Sequence, residues 1–117
     1  MTSEDQEQVA IMQWSILARQ QYPELKLLHH IPNERKCSLQ QGRYMKRKGV
    51  KSGVPDLCLP VPRGGYHGLY IELKRKGGGQ TSDTQTWWLE ELAAQGYRTA
   101  LCRGADEAIA IIKRYLT

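Results

Sequence analysis

The stretch GVPDLCLPVPRGGYHGLYIELK, residues 53–74, decides the fold. Two β-like runs, DLCLPV (56–61) and GLYIELK (68–74), flank the turn-rich PRGGYHG, the pattern of an antiparallel hairpin. A turn centred near Gly64 places Asp56 opposite Glu72, and directly opposed residues share a face about 5 Å apart. Side chains alternate along a strand, so Glu72 and Lys74 share one face while Ile71 and Leu73 point into the other. The apolar pair marks its own face as buried. The charged pair then needs either solvent or a site.

Two carboxylates and an ammonium therefore converge at one sheet end. Adjacent carboxylates repel and desolvate badly unless a cation sits between them. Oxygen ligands of this kind suit Mg²⁺ or Mn²⁺ better than zinc, and the carbonyl of Leu73, lying between two face-sharing ligands, could add a contact. A hard dication held there polarises a phosphodiester, lowers the pKa of a bound water and steadies the leaving oxygen. Lys74 alongside can orient the attacking water or stabilise charge on the pentavalent phosphorus. A lone E-x-K on an edge strand is more often a solvated surface pair, and Pro-Asp before a strand is often only turn chemistry. It is the conjunction at hairpin distance, in a basic chain, that points to catalysis.

The chain has 117 residues, which suits one domain spanning 1–117 and leaves no room for two independent cores. It carries 17 Lys+Arg against 12 Asp+Glu, a formal charge of +5, which favours an anionic partner. The surplus is concentrated in Arg35, Lys36, Arg43, Lys46, Arg47, Lys48 and Lys51, with a second cluster at Lys74, Arg75 and Lys76. The acidic start, MTSEDQEQ, is unlike a signal peptide, and no apolar run approaches a membrane span of about 18 residues. Cys37, Cys58 and Cys102 form no C-x-x-C pair, which argues against a disulfide framework or zinc knuckle and fits a reducing cytoplasm. His29, His30 and His67 lack metal-ligand spacing and read as strand and turn residues.

Outside the hairpin, the pattern predicts a helix from residue 4 to about 22, capped by Ser3, with Val9, Met12, Ile16 and Leu17 near helical spacing and Pro23 ending it. LKLLHHIP (25–32) reads as a strand and SLQQGRYMKRKG (38–49) as a short basic helix. Ser82-x-x-Gln85 is a capping-box pattern opening a helix that closes at Gly96. YRTALCR (97–103) and ADEAIAIIKRYL (105–116) add a strand and a closing helix. The order is α-β-α-β-β-α-β-α, an α/β fold with a mixed sheet flanked by helices.

PD followed by E-x-K resembles the restriction-endonuclease-like nucleases. GVPD, IELK and the downstream Q-x-x-W together resemble the VRR-NUC (virus-type replication-repair nuclease) domain over nearly the whole chain. Its stand-alone members, mostly of phages and prophages, imply a homodimeric Mg²⁺- or Mn²⁺-dependent endonuclease cutting four-way DNA junctions in the bacterial or infected-host cytoplasm, with no nucleotide cofactor. Fused members prefer flaps, so a flap or single-strand nuclease is the alternative, and a nuclease-like module that binds DNA without cleaving is the rival of another class. By position, the resemblance makes Asp56 and Glu72 metal ligands and Lys74 the catalytic lysine. It also implies a first-helix carboxylate, for which Glu4 and Glu7 are both candidates, and a site-facing glutamine at Gln85, a residue that equally completes the cap with Ser82. Gln8 matches a supporting glutamine. Relatives often carry Ile-Pro-Asn-Gly-Gly where this chain has Ile31-Pro32-Asn33-Glu34-Arg35, a departure from the family's pattern at the missing glycines.

For a DNA substrate, Arg43, Lys46, Arg47 and Lys51, with Lys36, Arg75 and Lys76, form the expected phosphate-tracking surface, selective for structure rather than sequence. Trp87 and Trp88 are expected in the core and a subunit contact rather than as a stacking platform. Ile109, Ile112 and Leu116 on the last helix serve core or dimer interface.

Overall fold

The computed structural model describes residues 2–32 and 38–117. Its elements are α1 (Glu4–Ala18), a 3-10 helix (Pro23–Leu27), β1 (His29–His30), α2 (Leu39–Arg47), β2 (Leu57–Leu59), β3 (Leu69–Lys74), α3 (Asp83–Ala94), β4 (Arg98–Arg103) and α4 (Ala105–Leu116). The strands form one mixed sheet in the order β1-β2-β3-β4, antiparallel except for the parallel β3–β4 pair. Leu57 pairs with Ile71, Cys58 with Tyr70 and Leu59 with Leu69. One residue further on, this register sets Asp56 opposite Glu72, as the hairpin pattern predicts. Among the described residues no helix is long and apolar enough to cross a membrane.

The face of β3 bearing Leu69, Ile71 and Leu73 is the floor of the core, together with Leu57 and Leu59 of β2. Ile11 of α1 and Ala108 and Ile112 of α4 cover it, with Ile109 and Leu116 packed at its margin. Ile112 of the closing helix is thus core. Each such side chain removed from water contributes about 1.5–3 kcal/mol, which fixes the strand that carries Glu72.

Two expectations need correction. Residues 25–32 are not one strand: Pro23 opens a 3-10 turn, and only His29 and His30 pair with β2. Pro suits the first position of a helical turn, and the three-residue period of that turn puts Leu25 and Leu28 together in the core. The buried face of α1 is also different, made of Glu7, Ile11 and Ser15, whereas Val9, Ile16 and Leu17 are exposed and Met12 is half-buried. Apolar residues lie on several sides of this helix, so spacing alone does not choose a face. Ser15 is small, and its hydroxyl donates to Met12 O at 2.7 Å, which lets it sit fully buried.

Glu7 is a tether. Its Oε1 accepts from Ala105 N at 3.0 Å and its Oε2 from the Thr2 hydroxyl. The N-cap of α4 is Gly104 (φ 87°), which has no side chain to cap the helix, so a carboxylate from α1 takes that place. The Thr2 hydroxyl foremost, then the Ala105 N–H and the Lys76 charge, hold the Glu7 carboxyl below its ordinary value of 4.5, against the opposing effect of burial. A depressed folded-state pKa gives stabilisation that is complete above pH 4.5 and is lost as pH falls through the folded value. Glu7→Gln is expected to lose about 1 kcal/mol at neutral pH and to flatten the acid limb of stability below pH 4.5 in thermal melts. An unchanged acid limb would contradict the tether.

Candidate active site

Asp56 sits immediately before β2, where the backbone ladder stops. Its Oδ2 accepts from Leu73 N at 2.7 Å, so a side chain replaces the missing ladder partner of β3. Its carbonyl accepts from Ile31 N and from His30 Nδ1, both at 2.8 Å. A carbonyl cannot donate, so the His30 contact requires the Nδ1–H form. Asp56 is thereby fixed from both sides and only 5% exposed. In a strand the N–H and C=O of one residue leave the same edge, so the Leu73 carbonyl faces the Asp56 side.

The preceding loop is held just as closely. Gly53 has φ 88°, and a Cβ there would lie 2.5 Å from Thr84 Cγ2 on α3. Trp88 Nε1 donates to Ser52 O at 3.0 Å. The glycine of GVPD thus lets the chain pass against the helix that carries Gln85.

Glu72 is fully buried, Lys74 4% exposed and Gln85 8% exposed. The charged face of β3 is therefore packed against α3 and not a solvated edge. Gln85 Nε2 donates to Glu72 Oε1 at 2.5 Å, and Gln85 Oε1 accepts from Lys74 Nζ at 2.9 Å. Lys74 Nζ lies 3.8 Å from Glu72 Oε1. The same Gln85 Oε1 accepts from Ser82 N at 2.9 Å, and Ser82 Oγ accepts from Gln85 N at 3.1 Å. The two roles weighed for Gln85 are therefore held at once: one amide closes the cap of α3 and bridges the carboxylate to the ammonium.

The two first-helix candidates separate. Both oxygens of Glu7 are engaged, with Ala105 N and the Thr2 hydroxyl. Glu4 and the Lys74 stem both approach the glycine loop: a Cβ on Gly79 would meet Lys74 Cδ at 3.4 Å and Glu4 Oε2 at 3.9 Å. Gln8 is half-buried. Arg103 at the end of β4 donates through Nη1 to Gly78 O at 2.6 Å and Gly79 O at 3.0 Å, clamping the glycine loop over the Lys74 stem. Neither this clamp nor the His30 anchor has a local sequence signature, because each joins residues distant in the chain.

The basic residues form no part of the buried cluster. Arg43, Lys46, Arg47 and Lys51 are exposed on α2 and the loop after it, and Arg75 and Lys76 are exposed beyond β3. Arg47 and Lys48 lie over the Tyr44 ring at 5.8 and 5.3 Å, and Lys76 pairs with Asp106 at 3.3 Å. Lys36 lies outside the described residues. Trp87 is 53% exposed and meets Trp88 edge-on at 5.5 Å, so it is not the core residue expected. Its neighbour is held by the bond to Ser52. Burial pushes the Cys102 thiol up to about 11 and the Cys58 thiol above its usual range, which leaves neither a ready nucleophile or metal ligand.

A divalent cation fits the donor set. Asp56, just before β2, and Glu72, opposite it on β3, offer two buried carboxylates, and the Leu73 carbonyl leaves β3 on the Asp56 side. Among the described residues no three His, Cys, Asp or Glu side chains group as a metal cage. Two carboxylates plus a carbonyl, with water completing the shell, is the sparse oxygen set that Mg²⁺ accepts.

A mixed sheet with paired carboxylates and a lysine at one end of its central strands is the framework of a nuclease-type domain. The VRR-NUC domain profile matches residues 2–106, and the chain belongs to that family. A solved structure titled "VRR_NUC domain protein" is 35% identical, with a TM-score of 0.84 over 99% of this chain and 89% of that one. Among curated proteins none matches significantly.

The double duty of Gln85 can be taken apart. Gln85→Glu keeps an acceptor for Ser82 N but places a carboxylate against Glu72; Ser82→Ala removes the cap and leaves the amide bridge. Ser82→Ala is expected to cost about 1 kcal/mol with little loss of turnover. Gln85→Glu is expected to keep the helix, by circular dichroism, and lower turnover by about 10–100-fold. Equal activity losses in the two variants would contradict the separation.

Proposed function

We propose that this protein is a metal-dependent DNA endonuclease that hydrolyses phosphodiester bonds in branched DNA, with four-way junctions the foremost substrate. The observation that carries this reading is the burial of Asp56, Glu72 and Lys74 at one sheet end with Gln85 between the last two. Groups so expensive to desolvate repay burial when they act together on an anionic substrate. Asp56 and Glu72 would hold Mg²⁺ or Mn²⁺, which when bound polarises the phosphodiester and acidifies a water. Lys74, oriented by Gln85, presents its ammonium where charge develops on the phosphorus oxygens. Glu4, which approaches the same glycine loop as the Lys74 stem, is the first-helix carboxylate this reading favours.

The substrate reading rests on charge outside this centre. Exposed Arg43, Lys46, Arg47 and Lys51 would follow the DNA backbone without reading bases. The exposed Val9, Ile16 and Leu17 of α1 offer an apolar surface that a second copy would cover, bringing two centres to two strands.

A labelled four-way junction incubated with Mg²⁺ or Mn²⁺ is expected to be cut, and EDTA to abolish cutting. Asp56→Asn is expected to slow cleavage by about 100-fold or more. Cleavage by Asp56→Asn at the parental rate would overturn the assignment, and faster cutting of flaps or single strands at equal salt would transfer the substrate preference to them. Replacing Arg43, Lys46 and Arg47 with Ala is expected to weaken binding to unrelated sequences alike and to reduce the slope of log affinity against log salt by up to about 3. An unchanged slope would place the DNA path elsewhere.

A further inference from the structure

The hairpin turn, the start of β4 and the last turns of α4 line a half-open cavity of about 200 Å³. Arg63, Arg98 and Arg114 line it, with Tyr66, Tyr115 and Ile111. Its place is fixed by register: Arg98 pairs with Leu69, and Arg103 with Lys74, so the cavity lies at the opposite end of β3 from the lysine, about 17 Å along the strand. It is also on the other face. Arg98 alternates onto the side of Ala100 and Cys102, which pack in the core under α4, whereas Glu72 and Lys74 face Gln85 of α3. The cavity is thus separate from the carboxylate pair.

Among the described residues no acid lines the cavity. Arg63 is held by an ion pair to Glu24 and by a bond from Nη1 to Pro62 O at 2.8 Å. Arg98 is half-buried and donates to Thr99 O. Among the described residues no acid pairs with Arg98 or Arg114. Tyr115 is anchored by its hydroxyl to Val61 O at 2.6 Å, and Tyr66 is exposed at the turn. One carboxylate therefore offsets three guanidiniums, two of them tethered before any ligand arrives.

We propose that this cavity binds the phosphate group of a nucleotide, either a mononucleotide or a unit of a nucleic-acid strand. Guanidinium forks match phosphate oxygens bidentately, and two uncompensated positive charges balance an ester carrying one to two negative ones. The cavity is below the roughly 300–1,000 Å³ of a site for a whole drug-sized ligand. It takes the phosphate and part of the sugar, leaving the base at the mouth, where the Tyr66 ring offers a stacking face.

The test is NMR titration of the full-length chain carrying Glu72→Gln, with inorganic phosphate, dAMP and a tetranucleotide with or without a 5′ phosphate as probes. Saturable shifts confined to Arg63, Arg98 and Arg114 side-chain signals are expected. Arg114→Glu, at an exposed position that the core does not need, is expected to weaken dAMP binding at least tenfold, while alanines at Arg43, Lys46 and Arg47 leave it unchanged. Tighter binding of the phosphorylated tetranucleotide than of dAMP identifies a strand as the source; equal binding identifies the mononucleotide. Absence of saturable shifts with every probe, or equal shifts at the α2 basic residues that survive Arg114→Glu, would overturn the proposal.

Discussion

A carboxylate with no exposed surface has to be compensated by the groups around it, and in this protein Glu72 is compensated by the amide of Gln85 and, behind that amide, by the ammonium of Lys74. The rest of the structure is arranged so that these three side chains meet. The apolar face of β3 is pinned into the core by Leu69, Ile71 and Leu73, which forces the alternate residues onto the α3 side. The first turn of α3 is closed by the same amide that bridges the charges, so the helix cap and the buried cluster share one side chain. Misplacing α3 would leave a buried charge uncompensated, at a cost of several kcal/mol.

Asp56 belongs to the same constraint through the other neighbouring strand. β2 begins only at Leu57, and the side chain just before it turns in to take the Leu73 N–H that a longer strand would have bonded. The carboxylate is thus both a structural acceptor and a candidate ligand. Gly53, turned against Thr84, brings the two halves of the site into contact. The residues GVPD and Q-x-x-W, far apart in sequence, are joined through Ser52 and Trp88.

The hairpin register and the order of the elements were legible because strand alternation and turn chemistry are local. Ile71, Glu72, Leu73 and Lys74 declare two faces, and PRGGYHG leaves one plausible turn centre. Where the pattern was ambiguous, tertiary contacts decided. The first helix has apolar residues on several sides, and the bond from Ala105 to Glu7 selects the face that Val9 and Leu17 do not share. Residues 25–32 are apolar enough for a strand, but Pro23 and the three-residue spacing of Leu25 and Leu28 suit a tighter turn. The Glu7 tether, the Arg103 clamp and the His30 anchor depend on chain segments many residues apart, so no window of sequence contains them.

The proposed nuclease activity stands on the claim that the buried cluster takes up a divalent cation between Asp56 and Glu72. Calorimetric titration of Mn²⁺ into the parent chain and into Glu72→Gln reads that claim without any DNA present. Uptake of the ion by the parent, abolished or weakened at least tenfold by Glu72→Gln while the fold persists, is the predicted result. Equal uptake by both chains, or none by the parent, would contradict it.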